Sequence, residues 1–127
     1  MKYAFTIYGD ESQRESASPE EMQAMSQAYG EFTQEVQAKG IHLAGEGLYP
    51  TPTATTVQVR GGERSVTDGP FAETKEQLGG FYGLDCKDLD DPIEWAAKIP
   101  GAQFGSVEIR PVMVYDEAGN LVEEATA

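Results

Sequence analysis

Near the start of the chain Tyr3, Phe5 and Ile7 alternate with Ala4, Thr6 and Tyr8. That is the period of a strand, and few of its positions are polar on either face. A strand of this kind is expected to be covered on both sides. The polar run from Gly9 to Ala17 predicts a loop. Ser18-Pro19-Glu20-Glu21 then supplies a helix cap, a proline at the first helical position and a glutamate three residues after the cap. Met22, Met25, Tyr29, Phe32 and Val36 follow at spacings of three and four. They predict one long helix with this stripe in the core, stopped by Gly40.

A second strand is expected over Ile41 to Gly45, with Ile41 and Leu43 on one face and His42 on the other. It breaks at Gly45-Glu46-Gly47. Pro50 and Pro52 exclude a central strand after it. Thr55, Val57 and Val59 alternate with polar residues, Gly61-Gly62 turns, and Arg64 to Thr67 returns as a hairpin partner. Phe81 to Cys86 reads as a further strand. Asp88 is placed to cap a second helix with Leu89, Ile93 and Ala96 on one stripe and Trp95 and Ile99 nearby. Val107, Ile109, Val112 and Val114 form the last strand, with Pro111 marking an edge or bulge.

The frame is therefore strand, helix, strand, inserted hairpin, strand, helix, strand. This βαββαβ order predicts an α+β, ferredoxin-like domain over residues 1–115, followed by an acidic, weakly patterned tail over 116–127. Helices cover one sheet face. The other face is also fairly apolar, and a second copy laid sheet to sheet would cover it.

Length and charge narrow the possibilities further. The 127 residues suffice for one core. Mean hydropathy is -0.45, and no apolar run approaches the roughly 20 residues that span a bilayer. The first eight residues read as a strand rather than a signal segment. The lone Cys86 has no partner for an internal disulfide, and it sits in an apolar strand pattern that predicts burial. These features predict a cytoplasmic protein that does not enter membranes. One Cys and one His argue against a Cys/His zinc site, so neither metal nor cofactor is expected. Nine Lys+Arg against 22 Asp+Glu give a net charge of -13, which repels phosphate backbones and disfavours direct nucleic-acid binding.

Candidate chemistry rests on a few charged residues. Asp68, in Asp68-Gly69-Pro70-Phe71, is expected to build an Asx-turn anchored in the core by Phe71. The same carboxylate is a candidate general base at a pocket mouth. Glu73, Lys75 and Glu76 are expected on a short helical turn, from which Lys75 would hold an anionic ligand if it faced inward. Glu46 lies between two glycines at a sharp bend and is the second candidate catalytic carboxylate. Arg110 points away from the face of Ile109; it is expected either to pair with Glu108 or Asp68 or to bind a ligand. Tyr82 adds a hydroxyl. His42 reads as a structural strand residue. No glycine-rich phosphate loop or Gly-x-Ser-x-Gly elbow is present.

The stretch Thr67-Asp68-Gly69-Pro70-Phe71-Ala72-Glu73-Thr74-Lys75-Glu76-Gln77-Leu78-Gly79-Gly80-Phe81-Tyr82 resembles the signature of the DGPF group within the YCII-related family. Gly45-Glu46-Gly47-Leu48 is also similar to relatives, and the resemblance covers about residues 1–115. It implies a ferredoxin-like fold paired into a dimeric α/β barrel. Better-understood relatives resemble enzymes with a His–Asp pair whose histidine lies in the first helix. Here Glu20 to Tyr29 contains no histidine, so that mechanism does not carry over. Two expectations follow. One is a metal-free, enzyme-like or small-ligand-binding homodimer that uses Asp68 and Glu46 for acid/base work and Arg110, Lys75 and Tyr82 to bind a small anionic or polar ligand. The other, implied by relatives associated with extracytoplasmic-function sigma factors, is a non-catalytic regulatory or interaction module in transcription control.

Overall fold

The computed structural model describes residues 1–123. Strand β1 (Lys2–Gly9) runs through the middle of a four-stranded antiparallel sheet. Its neighbours are β5 (Gln77–Asp85) and β6 (Ser106–Pro111), and β2 (His42–Gly47) pairs with the far side of β5. The order across the sheet is β2-β5-β1-β6. Helices α2 (Pro19–Ala38) and α3 (Asp90–Lys98) supply the other half of the core. The result is a mixed α+β domain with antiparallel sheets and, among the described residues, no closed barrel.

The core follows from the alternation in β1. Tyr3, Phe5 and Ile7 are buried, and the register sets Leu84, Tyr82 and Gly80 opposite them. Phe32 and Val36 of α2 and Trp95, Ala96 and Ile99 of α3 pack onto this face. Phe5, Leu84, Val36 and Ile99 are fully buried, each worth about 1.5–3 kcal/mol in burial. Phe32 meets the Tyr82 and Trp95 rings edge-on at 5.0 and 6.2 Å.

The start and stop of α2 are as its sequence implies. The Ser18 hydroxyl accepts the Glu21 N–H, and the Glu21 carboxylate accepts the Ser18 N–H, both at 3.1 Å. Gly40 adopts φ +73, and the Ile41 N–H reaches back to the Val36 carbonyl at 3.2 Å. Twenty residues make a helix about 30 Å long, longer than the core beneath it. Phe32 and Val36 are therefore buried, whereas Met25 and Tyr29 are partly covered and Met22 is exposed.

Other local expectations are corrected. Residues 9–17 are not all loop: α1 (Glu11–Glu15) forms there, capped by Asp10, whose carboxylate accepts the Ser12 N–H. In α3 the buried stripe is Pro92, Trp95, Ala96 and Ile99, while Leu89 and Ile93 are exposed. The helix starts at Asp90, and the Asp88 carboxylate accepts the Asp91 N–H from just outside it, at 3.2 Å. A register shift between His42 and Ala44 turns His42 toward Tyr82 and leaves Leu43 exposed on the opposite face.

Between β2 and β5 the chain makes a 3₁₀ turn at Thr51–Thr53, then β3 (Thr55–Arg60) and β4 (Glu63–Asp68). These two strands pair antiparallel around Gly61 and Gly62, which take φ +58 and +79. Almost every residue of the pair is exposed. It is an arm that projects from the domain, and this undoes two expectations. Phe71 finds no core beneath it and is 88% exposed. Glu73, Lys75 and Glu76 form no helical turn: the Thr74 hydroxyl donates to the Glu76 carbonyl and the Gln77 amide to the Thr74 carbonyl. These side chains capture the backbone groups that a costly one-turn helix would need. After β6, β7 (Val114–Tyr115) pairs with β8 (Leu121–Glu123), so the expected tail begins as a small hairpin.

Candidate functional site

Where the first half of α2 runs past the core, the sheet below it is built from glycines. Gly45 and Gly47 of β2 lie beside Tyr82 and Gly80 of β5. A β-carbon at Gly45 would stand 2.8 Å from the Tyr82 ring, and one at Gly80 would stand 2.8 Å from the Glu46 carbonyl oxygen. With no side chains to fill the space, helix and sheet enclose an open groove of about 1480 Å³. The α1 helix with Leu48–Pro50 closes one side, and the Pro100–Gly105 segment closes another.

Four polar side chains reach this groove from the core side. The Tyr82 and Thr33 hydroxyls lie 2.7 Å apart. The half-buried His42 sets its ring edge-on to Tyr82, with centroids 6.2 Å apart. The Tyr29 hydroxyl accepts the Gly101 N–H at 3.0 Å. Burial pushes the Tyr29 phenol above its ordinary value. An imidazole and three hydroxyls can pass a proton and hydrogen-bond a polar ligand.

The groove's rim is mostly acidic, including Asp10, Glu21, Glu31 and Glu46. The Ser12 hydroxyl and N–H hold the Asp10 carboxyl below its ordinary value, with a smaller pull from Lys75. Glu11 is engaged structurally, accepting the Thr51 N–H and hydroxyl at 2.7 Å each. Arg14 and Lys98 are the basic groups on this rim, and Lys98 is paired to Glu35 at 2.8 Å. Among the described residues, no three of His, Cys, Asp and Glu converge to hold a metal ion.

The five residues singled out from the sequence do not converge. Tyr82 faces the helices and the groove. Glu46 belongs to the opposite sheet face, in one row with Phe81, Thr6 and Glu108, although its edge position also brings it to the rim. Arg110 lies at the other sheet edge, three strand spacings or about 14 Å away, and is 2.9 Å from Glu108. Asp68 ends β4 on the arm, exposed, opposite Thr55. The turn beside it is held instead by the Gly69 N–H to the Ala54 carbonyl and by the Thr56 hydroxyl to the Gly69 carbonyl. Lys75 sits in the following loop, on the Asp10 side of the groove.

Thr33 and Tyr29 border the groove without a sequence pattern that marks them as site residues, and His42 does so although its strand position reads as structural. The readable signal was the glycine content of the two segments, Gly45-x-Gly47 and Gly79-Gly80, of which the register sets Gly47 opposite Gly80.

The model of the YCII-related domain matches residues 1–116. The chain belongs to the YCII-related family. An uncharacterised protein of Rhizobium meliloti (strain 1021) is 40% identical over 121 residues, covering 91% of this chain and 94% of that protein. The groove of this YCII-related chain lies within the residues matched to the family. No helix of the described residues is long and apolar enough to cross a membrane.

Proposed function

We propose that this YCII-related protein is a small-ligand-binding, enzyme-like domain of the DGPF subgroup, and that the groove under α2 is its ligand site. The glycine-floored groove, with Thr33, Tyr82 and His42 facing into it, is the observation that carries this reading. Bare glycine backbone lets a ligand approach closely, and the hydroxyl pair with the imidazole orients it and moves a proton. The acidic rim favours a polar, neutral or cationic ligand over an anionic one. Glu46, which reaches the rim from the sheet edge, is the candidate base. The antiparallel order β2-β5-β1-β6 with two core helices supports a ferredoxin-like domain. Its uncovered sheet face, with Phe81, Leu43 and Ala4, supports pairing into a homodimeric barrel.

A fragment screen followed by amide NMR tests the groove. Hits should shift the amides of Thr33, His42, Gly80 and Tyr82, and His42→Ala should weaken them. Hits that move only other surfaces would end the groove reading.

A second reading is favoured by the exposed Phe71 and by the Arg110–Glu108 pair, which leaves Arg110 engaged within its own strand. In it the protein is a non-catalytic interaction module for a sigma-factor partner. Titrating the protein with such a factor would support it only if Phe71→Ser abolished binding while the groove stayed unperturbed.

A further inference from the structure

The arm formed by β3 and β4 is a feature that the single chain leaves unexplained. In its register Val57 faces Val66 and Val59 faces Arg64, so three valines share one face. All three are more than half exposed, and Phe71 just beyond the arm is almost wholly so. Arg60 and Arg64 flank the Gly61-Gly62 tip, and among the described residues neither joins an ion pair. The arm carries Arg60, Glu63, Arg64 and Asp68 and is formally neutral, so the net charge of -13 belongs to the rest of the chain.

From this juxtaposition we infer that the arm is exchanged between two copies, and that its valine face and basic tip enter the groove mouth of the second copy. The inference rests on the groove and homodimer of the proposed function, and it names what completes that site. Charge is the first argument. Two bodies of charge -13 repel, and the neutral arm, whose tip arginines join no ion pair among the described residues, matches the carboxylates Glu21, Glu31 and Glu46 on the groove rim. Apolar contact is the second, since the exposed Met22, Leu48 and Phe104 line the same groove and can receive the valines. Size is the third. Ligand pockets run to about 300–1,000 Å³, and a groove of about 1480 Å³ exceeds that until something narrows it.

Area selects a second copy over a foreign protein. A stable interface buries about 800 Å² on each partner, more than one face of two six-residue strands supplies. A two-fold dimer adds both arms to the sheet contact, because every contact occurs twice.

The test uses the full chain. Light scattering and sedimentation give the dimer dissociation constant for wild type, for Val57→Ser/Val66→Ser and for Arg60→Glu/Arg64→Glu. Both variants change exposed residues, so circular dichroism should be unaltered while dimerisation weakens tenfold or more. A spin label at Arg64→Cys, mixed with ¹⁵N-labelled wild type, should broaden the amides of Glu21, Glu31 and Glu46 on the other copy. A dimer whose constant neither variant changes, or a mixed sample without broadening at the groove, overturns the exchange and leaves the sheet-face dimer standing. A wild type that stays monomeric overturns both, and the fragment screen then judges the groove by itself.

Discussion

A β-carbon at Gly80 would meet the backbone oxygen of Glu46, which cannot move without parting β2 from β5. Gly80→Ala is therefore expected to cost about 1–3 kcal/mol, the usual range for overpacking, read as a lower denaturant midpoint. Gly45→Ala meets the Tyr82 ring, which can swing, but only by disturbing the Thr33 contact. Tyr82→Phe removes that hydrogen bond alone and should lose about 0.5–1.5 kcal/mol, with ligand affinity in the groove falling further. At Cys86 burial, aided by the nearby Asp91, pushes the thiol up from 9.0 to about 11. The folded state then holds its proton more tightly than the unfolded state. The associated stability is present below pH 9 and is lost as pH rises from about 9 toward 11. Denaturation midpoints should fall across that window in the wild type and fall less in Cys86→Ala. A thiol reagent at pH 8 should label Cys86 only as fast as the protein opens, because the buried thiol is neither accessible nor ionised.

At the scale of elements, the buried face and the projecting arm answer differently to truncation. Leu84→Ala, at a fully buried strand position, should lose about 2–5 kcal/mol. Phe71→Ser, at a side chain 88% exposed, should leave stability within about 0.5 kcal/mol by urea titration. A large loss there would mean that Phe71 is anchored after all. Long elements were legible because their signals are local. Ser18-Pro19-Glu20-Glu21 and Gly40 bound α2, and the alternation of Tyr3, Phe5 and Ile7 marks the buried face of β1. What misled was tertiary. Leu89 and Ile93 carry a helical period as good as that of Trp95 and Ile99, and only the place of α3 on the sheet decides which stripe is buried. Phe71 reads as a core residue because nothing in its neighbours reveals that the arm before it leaves the domain. His42 changes face through one irregular register step, which alternation cannot foresee. Of the residues singled out, Glu46 and Tyr82 border the candidate groove, whereas Asp68 and Arg110 belong to surfaces that the order of strands holds apart.

For the molecule as a whole, the proposed homodimer is tested at the sheet face away from the helices. Its central row runs Glu46, Phe81, Thr6 and Glu108, with Ala44, Gly83, Ala4 and Arg110 in the next. The centre of that surface is small or apolar, and its charges stand at the two edges and, as Lys2 and Asp85, at one end of the middle strands. A sheet open to water on one side normally alternates apolar with polar residues throughout, and this one does so only at its borders. Thr6→Arg would place a cation among Phe81, Ala4 and Gly83, where a facing copy excludes water and the carboxylate opposite it, Glu108, is already paired with Arg110. Burying an unpaired charge costs several kcal/mol, enough to dissociate a dimer held by this face. Light scattering of the wild type should therefore give twice the chain mass of 13.8 kDa, and Thr6→Arg should give that mass once, with unchanged circular dichroism. In a monomer the same substitution leaves the arginine in solvent and changes nothing. A wild type at 13.8 kDa would remove the second sheet, and the groove would then have to bind its ligand within one chain.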